Sequence, residues 1–203
     1  MFNEDKTPLR ADGSEKKTLV VASGNAGKIR EIASILSEYN VVGYKQLGFT
    51  EEIEETGESF YENALIKAKT VSDALGLPAL ADDSGLCVDA LHGAPGIYSA
   101  RYAGDGSDES NIDKLLLAMK DEKDRSAKFV SAVVLYYPDG KIVFAQGETE
   151  GEILYERKGT GGFGYDPVFF SKDLNKSFGE ASACEKNAVS HRGRALAALR
   201  NKL

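Results

Sequence analysis

Small residues and one cation meet at Ser23-Gly24-Asn25-Ala26-Gly27-Lys28. The apolar run Leu19-Val20-Val21 stops there and an amphipathic pattern begins at once, so the stretch reads as strand, loop and helix N-terminus. Glycines let backbone N–H groups approach an anion, the helix dipole adds partial positive charge, and Lys28 supplies a full one. That is a seat for phosphate. It is not the common nucleotide loop, which needs Gly, four residues and then Gly-Lys-Ser/Thr. Here Ala22 stands five before Gly27, and Ile29 follows Lys28. The alternative is an ordinary strand–helix turn with a solvated lysine.

Three further groups could carry chemistry. Glu54-Glu55 precede Thr56-Gly57, and Asp82-Asp83 follow the apolar Leu80-Ala81 and stop at Ser84-Gly85. Mg²⁺ takes one or two carboxylates and fills its octahedron with water and phosphate oxygens, which one loop Glu and one strand-end Asp would suit. Consecutive strand residues face opposite ways, so only one of Asp82 and Asp83 looks into a given cleft. A turn of solvated acids is the alternative, although the apolar lead-in argues for a partly buried carboxylate in need of a partner. In GTGGFGYDP, residues 159–167, an aromatic could stack on a base and an aspartate accept from a ring N–H; otherwise this is a sheet-edge turn with a packing aromatic. Ser190 reads as a helix N-cap with His191, Arg192 and Arg194 in the first turn. Basic residues there oppose the helix dipole, which favours a functional reading over a basic, exposed helix start. Lys67, taken alone, reads as a surface lysine.

These groups need elements to position them. The pattern predicts a strand at 18–22, a helix at 26–38, a short strand near 41–45 and the acidic loop TEEIEETGES. A second helix starts at Ser59, with Glu62 completing a capping box, and stops at Gly76. PALADDSGLCVDAL reads as a buried strand, a turn and a second short strand. A third helix falls near 108–120. FVSAVVLYYPDGKIVFAQGET is a hairpin turning at Pro138-Asp139-Gly140, followed by the glycine-rich loop, a strand at VFF and a last helix after Ser190. A βα unit plus a long hairpin means a mixed sheet with flanking helices, not a purely parallel doubly wound fold.

The chain has 203 residues, 42% hydrophobic and 28% charged, as in an ordinary globular protein. No apolar run reaches a membrane-spanning ~18 residues, and the polar first 17 residues read as a disordered extension without a signal-peptide core. Cys87 and Cys184 lie far apart with no metal-ligand spacing, so we expect reduced thiols in a cytoplasmic protein. The net charge of −7 argues against a generic nucleic-acid binder, which carries a basic face. Either a local basic pocket holds a small anion, or a metal bridges acids to it.

Taken together, SGNAGKIREI, EETGESFYENALIKA, ADDSGLCVDAL, GAPGIYSARYAG, GTGGFGYDP and SHRGRAL, in this order, resemble the inosine/xanthosine triphosphate pyrophosphatases. The resemblance covers residue 18 to the end, as one domain. It implies an α/β fold with an elongated mixed sheet, flanking helices and two lobes around a central cleft. It also implies Mg²⁺-dependent hydrolysis of ITP, dITP and XTP to monophosphate and pyrophosphate, by a cytoplasmic homodimer with no nucleic-acid or membrane partner. Carried over by residue, the resemblance assigns Ser23, Gly24, Asn25, Ala26, Gly27 and Lys28, with Lys67 and Lys186, to the triphosphate. Glu55 and Asp83 would bind the metal, with Asp83 also the base for the attacking water and Ser84 beside the substrate. Phe163, Gly164, Tyr165 and Asp166, with His191 and Arg192, would enclose the base. Two other readings are a septum-associated nucleotide pyrophosphatase, whose Ser-x-Ser-Pro-Arg opening is not found here, and a nucleotide sensor without turnover.

The implied activity has a physical logic. Lys28, Lys67, Lys186 and Mg²⁺ would offset the triphosphate charge, which reconciles an acidic chain with an anionic ligand. Hypoxanthine and xanthine present a C6 keto acceptor where adenine presents an amino donor. Donors from Arg192 or backbone N–H groups would leave adenine unpaired, a discrimination worth up to ~10⁴-fold.

Overall fold

The computed structural model describes residues 15–203. Most of the expected N-terminal extension, residues 1–14, lies outside the described residues. Seven strands form one mixed sheet in the order β2-β1-β3-β4-β5-β6-β7. They are β1 Thr18–Val21, β2 Asn40–Gly43, β3 Ala79–Val88, β4 Ser126–Tyr136, β5 Ile142–Ile153, β6 Phe169–Ser171 and β7 Lys176–Ser177. β1 pairs parallel with β2 and β3, and every later pairing is antiparallel.

Alternation along β3 sorts its side chains between two layers. On one face Leu80 packs with Leu19, Val21, Val133 and Leu135 under α1 (Ala26–Ile35) and α5 (His191–Arg200). On the other, Ala79 and Ala81 pack with Val20 and Val134 under Ala64, Ala68 and Val71 of α2 (Phe60–Leu75). Small alanines at both surfaces let α2 lie close to the strands. Beyond residue 85 a separate core begins. There Leu86, Val88, Phe129, Ile153, Phe169 and Phe178 pack against Ile112 and Leu115 of α3 (Asp108–Ala118) and Met119 just beyond it.

The boundary between these cores falls on Asp82–Gly85, and here the structure corrects the sequence reading. The expected turn and second strand are one continuous ten-residue strand, with Asp82–Gly85 paired to Val133–Val130 of β4. The polar residues are not a break in the strand. They lie where β1 has already ended, because β1 pairs with β3 only at Val20↔Ala79 and Val21↔Leu80. A segment at residues 96–101 covers the far edge: the Ser99 hydroxyl accepts from Leu86 N at 2.9 Å and donates to the Gly96 carbonyl. Gly85 permits this, since a Cβ there would meet the Gly96 carbonyl oxygen at 2.3 Å.

Local signals set the helix ends. Asn25, Ser59, Ser107 and Ser190 each accept from a first-turn N–H of α1, α2, α3 and α5. The box at Ser59 is shifted: Glu62 bonds Glu58 N rather than Ser59 N. α1 stops at Ile35, short of the predicted 38, while Leu36 and Tyr39 still pack on the core; apolar spacing outlasts the helix. A short helix α4, Ala183–Val189, precedes α5 and was not foreseen.

Candidate active site

Past Leu80 one edge of β3 has no strand beside it among the described residues. The Asp82 carbonyl, which a neighbouring strand would otherwise occupy, accepts from Lys28 Nζ and Lys67 Nζ, both at 3.3 Å. One lysine comes from α1 and the other from α2, on opposite faces of the sheet. A crevice at the end of a parallel strand, beside a helix N-terminus, is where open α/β sheets bind ligands.

The α2 side is charged and roomy. Asp83 turns this way, and its Oδ1 lies 2.6 Å from Lys67 Nζ. Glu55 Oε1 reaches the same ammonium at 2.8 Å, and Arg101 holds the other Glu55 oxygen at 3.2 Å. The acidic loop is pinned where Gly57 N donates to Asn63 Oδ1 at 2.8 Å. Burial pushes the Asp83 carboxyl above the usual range despite the pull of Lys67. Burial alone would lower Lys67, but Asp83 and Glu55 outweigh it and keep it charged. A cavity of about 520 Å³ opens here, lined by Ser23, Gly24, Asn25, Lys28, Glu55 and Lys67 among others. Asn25 caps α1 and Ser23 Oγ accepts from Asn25 N, so the N-terminal turn of α1 faces this space.

Hard oxygen donors converging on one cation position fit Mg²⁺ chemistry. Two carboxylates meet at Lys67 Nζ, and the buried Asp83 carboxyl is under-compensated by that lysine alone. Glu55 and Asp83 are therefore the two carboxylates that would hold a divalent ion; no group of three His, Cys, Asp or Glu side chains is gathered at a metal position among the described residues.

The α1/α5 side is tight and aromatic. A smaller cavity of about 90 Å³ is lined by Phe129, Phe163, Tyr165, Lys186, His191 and Arg192 among others. It shares Asn25, Lys28 and Ala100 with the larger one. Arg192 is 1% exposed. Its Nη2 bonds Asp82 Oδ2 at 3.0 Å and Ser84 Oγ at 2.9 Å, and its Nη1 bonds Glu31 of α1. Lys28 Nζ adds a 2.9 Å contact to the same Asp82 oxygen, and Ser131 of β4 holds the other. Burial opposes an ionised Asp82, but Arg192 and Lys28 win and keep its carboxyl well below the usual range. Glu31 also takes Lys186 at 2.8 Å, and Asp166 takes it too. The Phe163 ring lies under the Lys186 ammonium, 4.6 Å away. It fits against Gly27, where a Cβ would sit 2.8 Å from the ring. Arg192 Nε and His191 Nδ1 are among the buried polar atoms that have no partner among the described residues.

Comparison with known proteins identifies the lineage. Residues 19–202 match the Ham1 family. The chain belongs to the Ham1 family. It is 50% identical to a dITP/XTP pyrophosphatase of Haemophilus influenzae, over 93% of this chain and 100% of that protein. It is 47% identical to one of Bacillus anthracis, over 92% and 96%. The Ham1 protein of Staphylococcus aureus superposes with a TM-score of 0.82 at 43% identity, covering 91% of this chain and 97% of that one. A structure described as a nucleoside-triphosphatase, dITP/XTP pyrophosphatase, from Mycobacterium abscessus gives 0.72 at 44%, covering 90% and 98%.

In this Ham1 chain the residues singled out in the sequence gather at one seam, with specific departures. Lys67 is not a surface lysine; it is 9% exposed and doubly paired. His191 and Arg192 are not an exposed helix start; both are buried, and only Arg194 points outward, to Asp173. Lys186, expected with the triphosphate lysines, lines only the aromatic cavity, because Glu31 and Asp166 draw it there. Tyr165 is 4% exposed, with its hydroxyl bonded to the Ser99 carbonyl. Asp166 Oδ2 accepts from Phe163 N at 2.9 Å, closing the glycine-rich loop. Sequence reasoning missed Glu31, whose signal is its position one helical turn after Lys28. It also missed Arg101 and the part Asp82 plays as a buried hub. Among the described residues no helix is long and apolar enough to cross a membrane.

Proposed function

We propose that this chain hydrolyses non-canonical purine nucleoside triphosphates (ITP, dITP and XTP) to the monophosphate and pyrophosphate, with Mg²⁺. One observation carries the reading: a charged cavity and an aromatic one meet at Lys28. The dITP/XTP pyrophosphatases to which the chain is similar support it.

The triphosphate lies in the charged cavity, along the Ser23–Gly27 backbone and beside Lys28 and Lys67. Glu55 and Asp83 would hold Mg²⁺, which would supply Lewis acidity and offset phosphoryl charge. Asp83 accepts a proton from the water that attacks the α-phosphorus. The bond between that phosphorus and the bridging oxygen breaks, and pyrophosphate leaves on the lysine side.

The base enters the aromatic cavity beside Phe163. Arg192 is held by Asp82, Ser84 and Glu31, and its Nε hydrogen is left without a partner. A buried orphan donor is costly. A donor aimed at the base, from Arg192 or a backbone N–H, would suit a C6 keto oxygen and leave an adenine amino group unpaired. Lys186 works on this side, near the base, rather than on the phosphates.

We read the protein as a cytoplasmic homodimer, consistent with its two free thiols and with the family resemblance. Sedimentation at micromolar concentration tests the dimer.

The decisive assay incubates the protein with Mg²⁺ and, separately, ITP, XTP, dITP, ATP and GTP, measuring pyrophosphate and orthophosphate apart. Pyrophosphate from the first three with little from ATP and GTP is expected, and a chelator should abolish it. Orthophosphate alone would move the attack to another phosphorus. No product from any nucleotide would favour the sensor.

A further inference from the structure

The charged cavity holds more cation than the mechanism above uses. β2 leads directly into a short helical turn, Tyr44–Leu47, which overhangs the phosphate loop. Lys45 lines the cavity. Its Nζ lies 3.5 Å from where a Cβ on Gly24 would stand, and the Tyr44 hydroxyl lies 3.7 Å from the same point. Tyr44 is buried and stacks edge-on against Phe49, so it fixes the turn.

Charge pairing separates Lys45 from its neighbours. Lys28 is paired with Asp82, and Lys67 with Asp83 and Glu55. Those charges already have counter-ions. Lys45 makes no ion pair among the described residues, although Glu51 and Glu52 line the same cavity. A third phosphate group brought into this space needs a cation that is not already neutralised.

From this geometry we infer that Lys45, with the Tyr44 hydroxyl beside it, binds the terminal phosphate of the substrate and makes the site selective for triphosphates over diphosphates. The inference rests on the proposed reading of the site. Lys45 reaches over Gly24, at the start of the loop, whereas Lys28 stands at the junction with the aromatic cavity. Phosphates laid along the loop from that junction therefore end under Lys45.

The test compares chain lengths. For Lys45→Ala, KM for ITP should rise about tenfold, as for loss of a charge-assisted hydrogen bond. The inhibition constant of IDP, measured as a competitor, should change less than about twofold. Lys45→Arg should restore most of the loss. In parallel, calorimetry with inorganic tripolyphosphate and Mg²⁺ should show the same roughly tenfold weakening in Lys45→Ala. An equal change for ITP and IDP, or unchanged tripolyphosphate affinity, overturns the inference. The two readings fail separately. A wild-type protein that releases no pyrophosphate from any nucleotide refutes the proposed reaction, while the tripolyphosphate titration still reports on Lys45.

Discussion

The two cavities that meet at Lys28 are built on opposite terms. On the aromatic side the ions are sealed: Asp82, Arg192 and Lys186 are each under 5% exposed, Asp82 and Arg192 bonded to each other and to Ser131 and Ser84, and Lys186 paired with Glu31 and Asp166. On the charged side the ions border a space about six times larger, 520 against 90 Å³. Glu55 keeps 26% of its side chain exposed, and its partner Arg101 keeps 45%. One side is a fixed template and the other a set of exchangeable pairs. Lys67 holds a place between two carboxylates that a ligand can take over. Arg192 has no such freedom, because moving it takes a counter-ion from both Asp82 and Glu31. A rigid base pocket suits discrimination by unpaired donors; a loosely paired phosphate pocket suits binding and release of a polyanion.

The sharpest way to break this contrast is to remove the hub. Asp82→Ala leaves Arg192 and Lys28 without their shared counter-ion, and a buried broken pair costs about 3–5 kcal/mol. Urea unfolding should show a loss of that order; a loss below about 1 kcal/mol, as for an exposed pair, would mean the aromatic side is not the fixed one. Next in size, Asp83→Asn should lower turnover by at least ~10²-fold, as for a lost general base, in a protein that still folds. Turnover near wild type would remove Asp83 as base. Lys28→Ala should raise KM for ITP by about tenfold and weaken inosine monophosphate binding much less. Equal effects would place Lys28 with the template, not the exchangeable set.

The smallest effect is a pH dependence. Burial, then the nearby Arg192 charge, holds the His191 imidazole well below its usual value, so the folded state resists its proton while the unfolded state takes one near pH 6.5. Stability from this group is therefore full above pH 6.5 and lost as pH falls, by about 1 kcal/mol between pH 7 and 5.5. In His191→Phe, which keeps the stacking on Phe129, that part of the slope should vanish. An identical slope in the two proteins would show that His191 is protonated in the fold.

Short-range patterns made much of this legible. Ser59 and Ser190 announce α2 and α5 through caps, and Pro138-Asp139-Gly140 announces the hairpin, all within a few residues of the feature. Asp82–Gly85 was illegible for the opposite reason. Two carboxylates, a serine and a glycine mimic a turn, and only partners far along the chain make them tolerable in a strand. Arg192, 110 residues away, neutralises Asp82, and the Ser131 hydroxyl donates to its other oxygen. Lys67 misled for the same cause, since its carboxylates lie on other elements. The clustering of the phosphate-loop, acidic and C-terminal residues followed from the family likeness, not from local pattern. The split of Lys186 from Lys28 and Lys67 depended on Glu31, whose spacing from Lys28 marks its turn of α1 but not its partners on α4 and α5.

β3 is shared property. Its first residues belong to the cores under α1, α2 and α5, its last to the core around Phe169, and the reactive seam lies between them on the same ladder with β4. Neither half can lose its packing while the other keeps a complete β3–β4 pairing. The chain should therefore denature in a single step, with fluorescence and circular dichroism tracing one curve. A nucleotide bound at the seam would then lift the melting point of the entire chain, including the packing of Ile112, Leu115 and Met119, which line neither cavity.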